Sequence, residues 1–98
     1  MSVTLQLVGA AIPSAIPKLA TVLKERERWF KRAAGFELGE VLVNHPEAKV
    51  QFMIQFSTFE EALAFTKEEF HTLRGMFEGI VDEVSPPYFF AVESDIRA

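Results

Sequence analysis

Two histidines, one tryptophan, one tyrosine and no cysteine are the side chains from which this chain could build a chemical site. Without cysteine there is no disulfide, no thiolate nucleophile and no zinc-thiolate centre. His71 falls in Glu69-Phe70-His71, one step around a helix from an apolar stripe. Its plain reading is a residue turned to solvent. Its functional reading is a general base, or a donor to an oxygenated substrate, because an imidazole titrates near neutral pH. His45 lies in Asn44-His45-Pro46-Glu47, where Asn and Pro explain the segment as a turn without catalysis. Two histidines at this separation match no metal-ligand spacing, so neither a metal nor any other cofactor is expected.

Trp29 could line a cavity between a helix and a sheet, or simply fill the core or an interface. Tyr88 could orient a ligand through its phenol, or reach water at a strand end. Glu60, Glu61, Glu68 and Glu69 read as capping and surface charge rather than as a catalytic carboxylate pair. Lys24 to Arg32 is rich in cations but interleaves Glu25 and Glu27, the pattern of a solvated helix face.

Those residues must be held by a scaffold of 98 residues, which is one domain by length, residues 1–98. An apolar share of 49% with ten phenylalanines supplies one core. A formal charge of −4 disfavours a nucleic-acid partner, since phosphate neutralisation needs an excess of clustered cations. No apolar run approaches the roughly 20 residues of a membrane span, and no basic residue precedes the N-terminal apolar run, so a cytoplasmic location is the expectation.

Ser2 to Val8 alternates apolar and polar residues with the period of a half-buried strand, and Gly9 to Pro13 breaks the pattern. A helix is predicted over 14–34, with Ser14 as its N-cap, Pro17 in its first turn and Gly35 just past its end. Phe36 to Val43 and Val50 to Phe56, joined through the Asn44 turn, read as a hairpin. Ser57-Thr58-Phe59-Glu60-Glu61 carries two overlapping capping boxes ahead of a second helix that can run to about Asp82, with Gly75 and Gly79 marking a place where it could kink. Tyr88 to Glu93 follows Pro86-Pro87 as the last strand.

The order β-α-β-β-α-β predicts an α+β, ferredoxin-like fold: one antiparallel four-stranded sheet with two helices on one face. Val3, Leu5, Leu7, Val50, Phe52, Ile54 and Phe56 should point at the helices. Thr4, Gln6, Gln51, Met53 and Gln55 should share the other face with Phe89 and Ala91. That second face is mixed, and a homodimer formed through it is the expected partnership.

Several of these segments resemble the dimeric α+β barrel superfamily, in its antibiotic-biosynthesis-monooxygenase-like branch. The likeness runs from the first strand through Ala34-Gly35-Phe36, where relatives have a Pro-Gly-Phe-like turn. It continues in Phe56-Ser57-Thr58-Phe59-Glu60-Glu61, which is similar to a strand end and helix start often written Trp-Glu-Ser, and in Glu69-Phe70-His71, where many relatives have a Glu-His pair. The resemblance implies cofactor-independent oxygenases, haem-degrading enzymes, isomerases or proteins without known activity, so it does not fix a function. Haem-degrading relatives use an Asn on the first strand, a Trp on the second helix and an iron-ligating His further along it. This chain has no Asn on that strand, Phe65 at the Trp position and Gly75 at the His position, so haem degradation is not expected. Phe56 also replaces the tryptophan of the strand-end motif.

Two readings follow. In one, the chain is a small-molecule-binding protein or a cofactor-independent monooxygenase-like enzyme. Its apolar pocket lies between sheet and helices, lined by Trp29, Phe52, Phe56, Phe65 and Tyr88, with a small apolar or aromatic ligand and His71 as base. In the other, it is a non-catalytic dimer whose phenylalanines fill that space. A void above roughly 300 Å³ would separate them.

Overall fold

The structure, a computed structural model, describes all 98 residues. Its elements are β1 (Val3–Ala11), a 3-10 turn (Pro13–Ala15), α1 (Lys18–Glu25), α2 (Glu27–Lys31), β2 (Phe36–Asn44), β3 (Lys49–Phe56), α3 (Phe59–Met76), β4 (Val81–Asp82) and β5 (Tyr88–Ala91). The strands form one antiparallel sheet in the order β2-β3-β1-β4, with β5 also paired to β1. This is the predicted α+β, ferredoxin-like arrangement, with the first helix in two pieces and the fourth strand position shared by two short strands. No helix is long and apolar enough to cross a membrane.

The alternation read in the sequence sets the sheet faces. β1 and β3 pair over their full length, Leu5 against Ile54 and Leu7 against Phe52. Val3, Leu5, Leu7, Val50, Phe52, Ile54 and Phe56 are all at most 5% exposed beneath the helices. Each large apolar side chain so buried contributes about 1.5–3 kcal/mol. The helices add Leu19, Phe30, Ala62, Phe65 and Leu73 to this core, and Trp29 meets Phe65 edge to face at 5.6 Å, linking the two helical segments.

β1 continues past Gly9 to Ala11, because Ala10 and Ala11 pair with Asp82 and Val81 of β4. Gly9 serves that pairing rather than ending the strand: a Cβ there would stand 2.5 Å from Val81 Cγ1. The first helix begins later than predicted. Ser14 lies in the 3-10 turn and makes no cap, and Pro17 holds the N-cap position of α1. It is also interrupted at Arg26 (φ −104°, ψ 8°), where the chain leaves helical geometry before α2. Gly35 is the left-handed residue expected after the helix, with φ +77°.

The hairpin turn is built as its residues suggest. Asn44 Oδ1 accepts from the Glu47 amide at 3.1 Å, and Ala48 takes φ 52° before β3. Of the two capping boxes, Thr58 with Glu61 is the one formed: Thr58 Oγ1 accepts from the Glu61 amide at 3.2 Å. Ser57 Oγ donates to the Glu61 carboxylate rather than to Glu60. α3 stops at Met76, short of Asp82; Phe77 is its C-cap and Gly79 turns with φ +80°. Residues 81–82 are therefore strand.

One face assignment is reversed. Tyr88 pairs with Gln6 and Phe89 with Leu5, so Phe89 and Ala91 lie on the helix side, where Phe89 stacks on Phe59 at 5.5 Å. Tyr88 and Phe90 occupy the opposite face.

Candidate ligand cleft

Two clefts open on the helix side of the sheet and share one lining residue, Phe52. The first, of about 460 Å³, lies between α1–α2 and the β2 edge. Its floor is Phe36, Gly39, Val41, Phe52 and Ile54, and its wall is Leu23 and Phe30. The near-face parity of β2 and β3 aims these floor residues at the helices, since Gly39 pairs with Ile54 and Val41 with Phe52. The wall comes from both sides of the Arg26 interruption, so the mouth of the cleft is framed by two short helices rather than one straight one.

Its rim is charged. Lys31 Nζ meets Glu27 Oε1 at 2.7 Å, one helical turn apart. That hydrogen bond, with the nearby charges of Lys31 and then Lys24, holds the Glu27 carboxyl below its ordinary value. Glu37, at the β2 bulge between Phe36 and Leu38, instead turns its carboxylate to the far face, where it accepts from Ser2 Oγ at 2.6 Å and from Gln55 Nε2 at 3.2 Å, which lowers its carboxyl likewise. Lys24 is left as a rim cation without a direct ion pair.

The second cleft, of about 390 Å³, lies beyond the end of α3. Leu7, Phe52, Leu73, Phe77 and Val81 form its apolar part, and His71, Arg74, Glu78, Asp82 and Glu83 its polar part. Phe52 lines both clefts and stacks edge to face on Phe77 at 4.8 Å. Arg74 lies 5.9 Å from the Phe70 ring centre, so its guanidinium is partly occupied by that face.

The residues singled out from the sequence are thus distributed rather than gathered. Phe52 is common to both clefts, and His71 lines the polar one. Phe56 and Phe65, 0% and 5% exposed, are packed against each other in the core, with ring centres 5.1 Å apart. Trp29 is half-buried between Phe30 and Phe65. Tyr88, 52% exposed, stands on the far face of the sheet. His45 is an exposed turn residue. No group of three or more His, Cys, Asp or Glu side chains is arranged to hold a metal ion. Leu23, Phe36, Gly39 and Val41 were not visible as site residues in the sequence. The isolated glycine inside an otherwise apolar strand was the available signal.

The far face carries a hydrogen-bonded glutamine pair, Gln51 Nε2 donating to Gln6 Oε1 at 3.0 Å. Around it stand Val8, Leu38, Leu42, Tyr88 and Phe90, each 40–52% exposed.

No family model and no curated protein matches the sequence. Solved structures do match it in fold. A protein described as an antibiotic biosynthesis monooxygenase from Bordetella bronchiseptica superposes with a TM-score of 0.76 at 11% identity, over 98% of each chain. The haem degrader MhuD from Mycobacterium tuberculosis, with two haems bound in its active site, gives 0.72 at 16% identity over 99% of this chain and 100% of its own. SnoaB, a cofactor-independent oxygenase from Streptomyces nogalater, gives 0.70 at 12% identity over 99% of this chain and 98% of its own. The chain has the ferredoxin-like fold of the antibiotic biosynthesis monooxygenase-like proteins.

Proposed function

We propose that this protein binds a small apolar molecule in the cleft between α1–α2 and the β2–β3 hairpin, and that it does so as a homodimer joined through the far face of its sheet. The cleft carries the proposal. At about 460 Å³ it falls in the range of ligand sites, and its lining pairs apolar side chains with a few charges at the mouth. Phe56 and Phe65 fill the core beneath the helices, and the cleft lies beside that packing at the β2 edge. The dimer is supported by the five exposed apolar side chains on one sheet face, which a second copy would cover by an isologous contact.

A cofactor-independent oxygenase is the catalytic form of the same reading. SnoaB has that activity on this fold. A substrate C–H would lose its proton to a base, and the resulting carbanion would react with dioxygen. His71 is the candidate base, supported by its place in the lining of the polar cleft, which shares Phe52 with the apolar one. Because the apolar cleft itself is not lined by an imidazole, binding is the better supported function and catalysis the second reading.

Titration of 15N-labelled protein with a set of hydroxylated aromatic fragments tests the proposal. Saturable shifts at Gly39, Val41 and Phe30 are expected, and shifts confined to other residues would refute the site. Turnover of any bound fragment under oxygen would identify an enzyme, and unchanged turnover in His71→Ala would remove His71 from the role of base.

A further inference from the structure

The floor of the apolar cleft contains a glycine that the backbone does not require. Gly35 has φ +77° and lies under the Glu61 carboxylate, and Gly9 is pressed by Val81 Cγ1, so each is glycine for a reason of conformation or contact. Gly39 has neither reason. Its φ lies outside the left-handed region, and a Cβ would meet only Phe36 Cε2 and Cζ, both at 3.4 Å, an ordinary van der Waals distance. It lies four strand positions into β2, on the helix-facing side opposite Ile54. A glycine here weakens the strand, because it adds backbone entropy and packs nothing. What it leaves is a stretch of bare backbone beside the edge of the Phe36 ring, the one side chain a Cβ would touch, in the lining of the cleft.

We infer that Gly39 is the specificity-determining residue of this cleft: the absent side chain admits an apolar, ring-sized part of the ligand against the Gly39 backbone and the Phe36 ring. The inference rests on the cleft being the binding site. A side chain at position 39 would start from a Cβ in contact with Phe36, in a cleft also lined by Leu23, Phe30 and Val41, so size at this position sets what the floor accepts. Lys24, the cation at the mouth without an ion pair, is the group that can meet an anionic outer end, since Lys31 is held by Glu27.

The test uses 1-anilinonaphthalene-8-sulfonate, a two-ring apolar anion, read through energy transfer from Trp29, the one tryptophan. Trp29 touches Phe30 of the cleft wall, with ring centres 5.0 Å apart. Saturable sensitised emission is expected from the unaltered protein. Gly39→Val should weaken binding at least tenfold with a melting temperature equal to or above that of the parent, because a β-branched residue favours the strand. Gly39→Ala should weaken it about threefold, and decides the matter if the valine variant does not fold. Leu23→Phe, which fills the same cleft from the helix side without adding a second tryptophan donor, is the control for the site itself. Loss of binding in Leu23→Phe with full binding in both Gly39 variants would overturn the role of Gly39 and leave the cleft standing. No sensitised binding by the parent, or equal binding in all variants, would overturn the cleft and the inference together.

Discussion

Removing the Phe52 side chain should affect both stability and ligand access, because it is buried in the core and lines both clefts. It is 5% exposed, pairs with Leu7 and Val41, and stacks on Phe77 at the C-terminal end of α3. Truncation to alanine in an ordinary core costs about 3–5 kcal/mol. Two features of this site set the value within that range. The edge-to-face contact with Phe77 contributes about 0.5–1.5 kcal/mol beyond area. Against that, the space vacated is flanked by open clefts of about 390 and 460 Å³, so water reaches it and no sealed cavity forms. The expected cost is therefore near the lower end, about 3 kcal/mol. With about 4–8 °C per kcal/mol for a domain of this length, the melting temperature of Phe52→Ala should fall by about 12–24 °C. Urea unfolding at fixed protein concentration gives the free energy directly, with the slope unchanged if the transition stays two-state. Phe52→Leu keeps most of the apolar side chain and should cost about half as much. A loss below about 1 kcal/mol for Phe52→Ala would show that this side chain does not join β3 to the end of α3, and the two-cleft description would fall with it.

The other expectations are smaller and more local. Thr58→Ala removes the oxygen that accepts from the Glu61 amide and should cost about 1 kcal/mol in urea unfolding, whereas Ser57→Ala leaves that backbone bond intact and should cost less. Gly35→Ala should cost more than Thr58→Ala, because φ +77° and the overlying Glu61 carboxylate both oppose a Cβ; an equal melting temperature would refute that reading. Phe90→Asp together with Leu38→Asp should turn a sedimenting species of twice 11.1 kDa into a monomer, and a parent that sediments at 11.1 kDa at micromolar concentration would refute the dimer. The Glu37 carboxyl is held low by Ser2 and then Gln55, so its contribution is complete above the unfolded-state value and is lost as pH falls through the folded one. Amide exchange at Ser2 and Gln55 should therefore gain protection relative to Glu37→Gln at neutral pH, with the difference vanishing in acid.

Where the sequence alternates cleanly, the fold could be read from it, and where both parities are apolar it could not. Val50-Gln51-Phe52-Met53-Ile54-Gln55-Phe56 has one buried set, and all four of its odd-step apolar residues are in the core. Tyr88-Phe89-Phe90-Ala91 has apolar side chains at every position, so hydropathy is silent about which face turns inward. The choice is made by register with β1, Gln6 against Tyr88, and by the Phe59 ring that receives Phe89. The interruption at Arg26 is invisible for a related reason. Glu25-Arg26-Glu27-Arg28 contains no helix breaker, and the bend that seats Leu19 on one part of the sheet and Phe30 on another is a tertiary requirement.

The same distinction explains the candidate site. Sequence reasoning selected the aromatic residues, and aromatic residues are what a small domain uses to fill its core: Phe56 and Phe65 are spent on packing, and Tyr88 on the far face. A cleft is made by what is missing. Gly39 leaves bare backbone beside the Phe36 ring, the Arg26 interruption separates two helical walls, and Phe52 lines both the apolar and the polar volumes. Fold likeness to an oxygenase and a haem degrader is compatible with either chemistry, since MhuD and SnoaB share this scaffold. The discriminating features are in the clefts themselves: an apolar floor with charges of both signs at its mouth, and an imidazole in the neighbouring cleft that shares Phe52 with it. On the proposed reading, a ligand held on the Gly39 side would be bound, and one that also reached His71 would meet the candidate base. Comparing ligand-induced shifts at His71 between the parent and Phe52→Ala therefore asks the functional question directly, because truncating the residue shared by the two clefts should bring His71 into contact only if the ligand already occupies the apolar cleft.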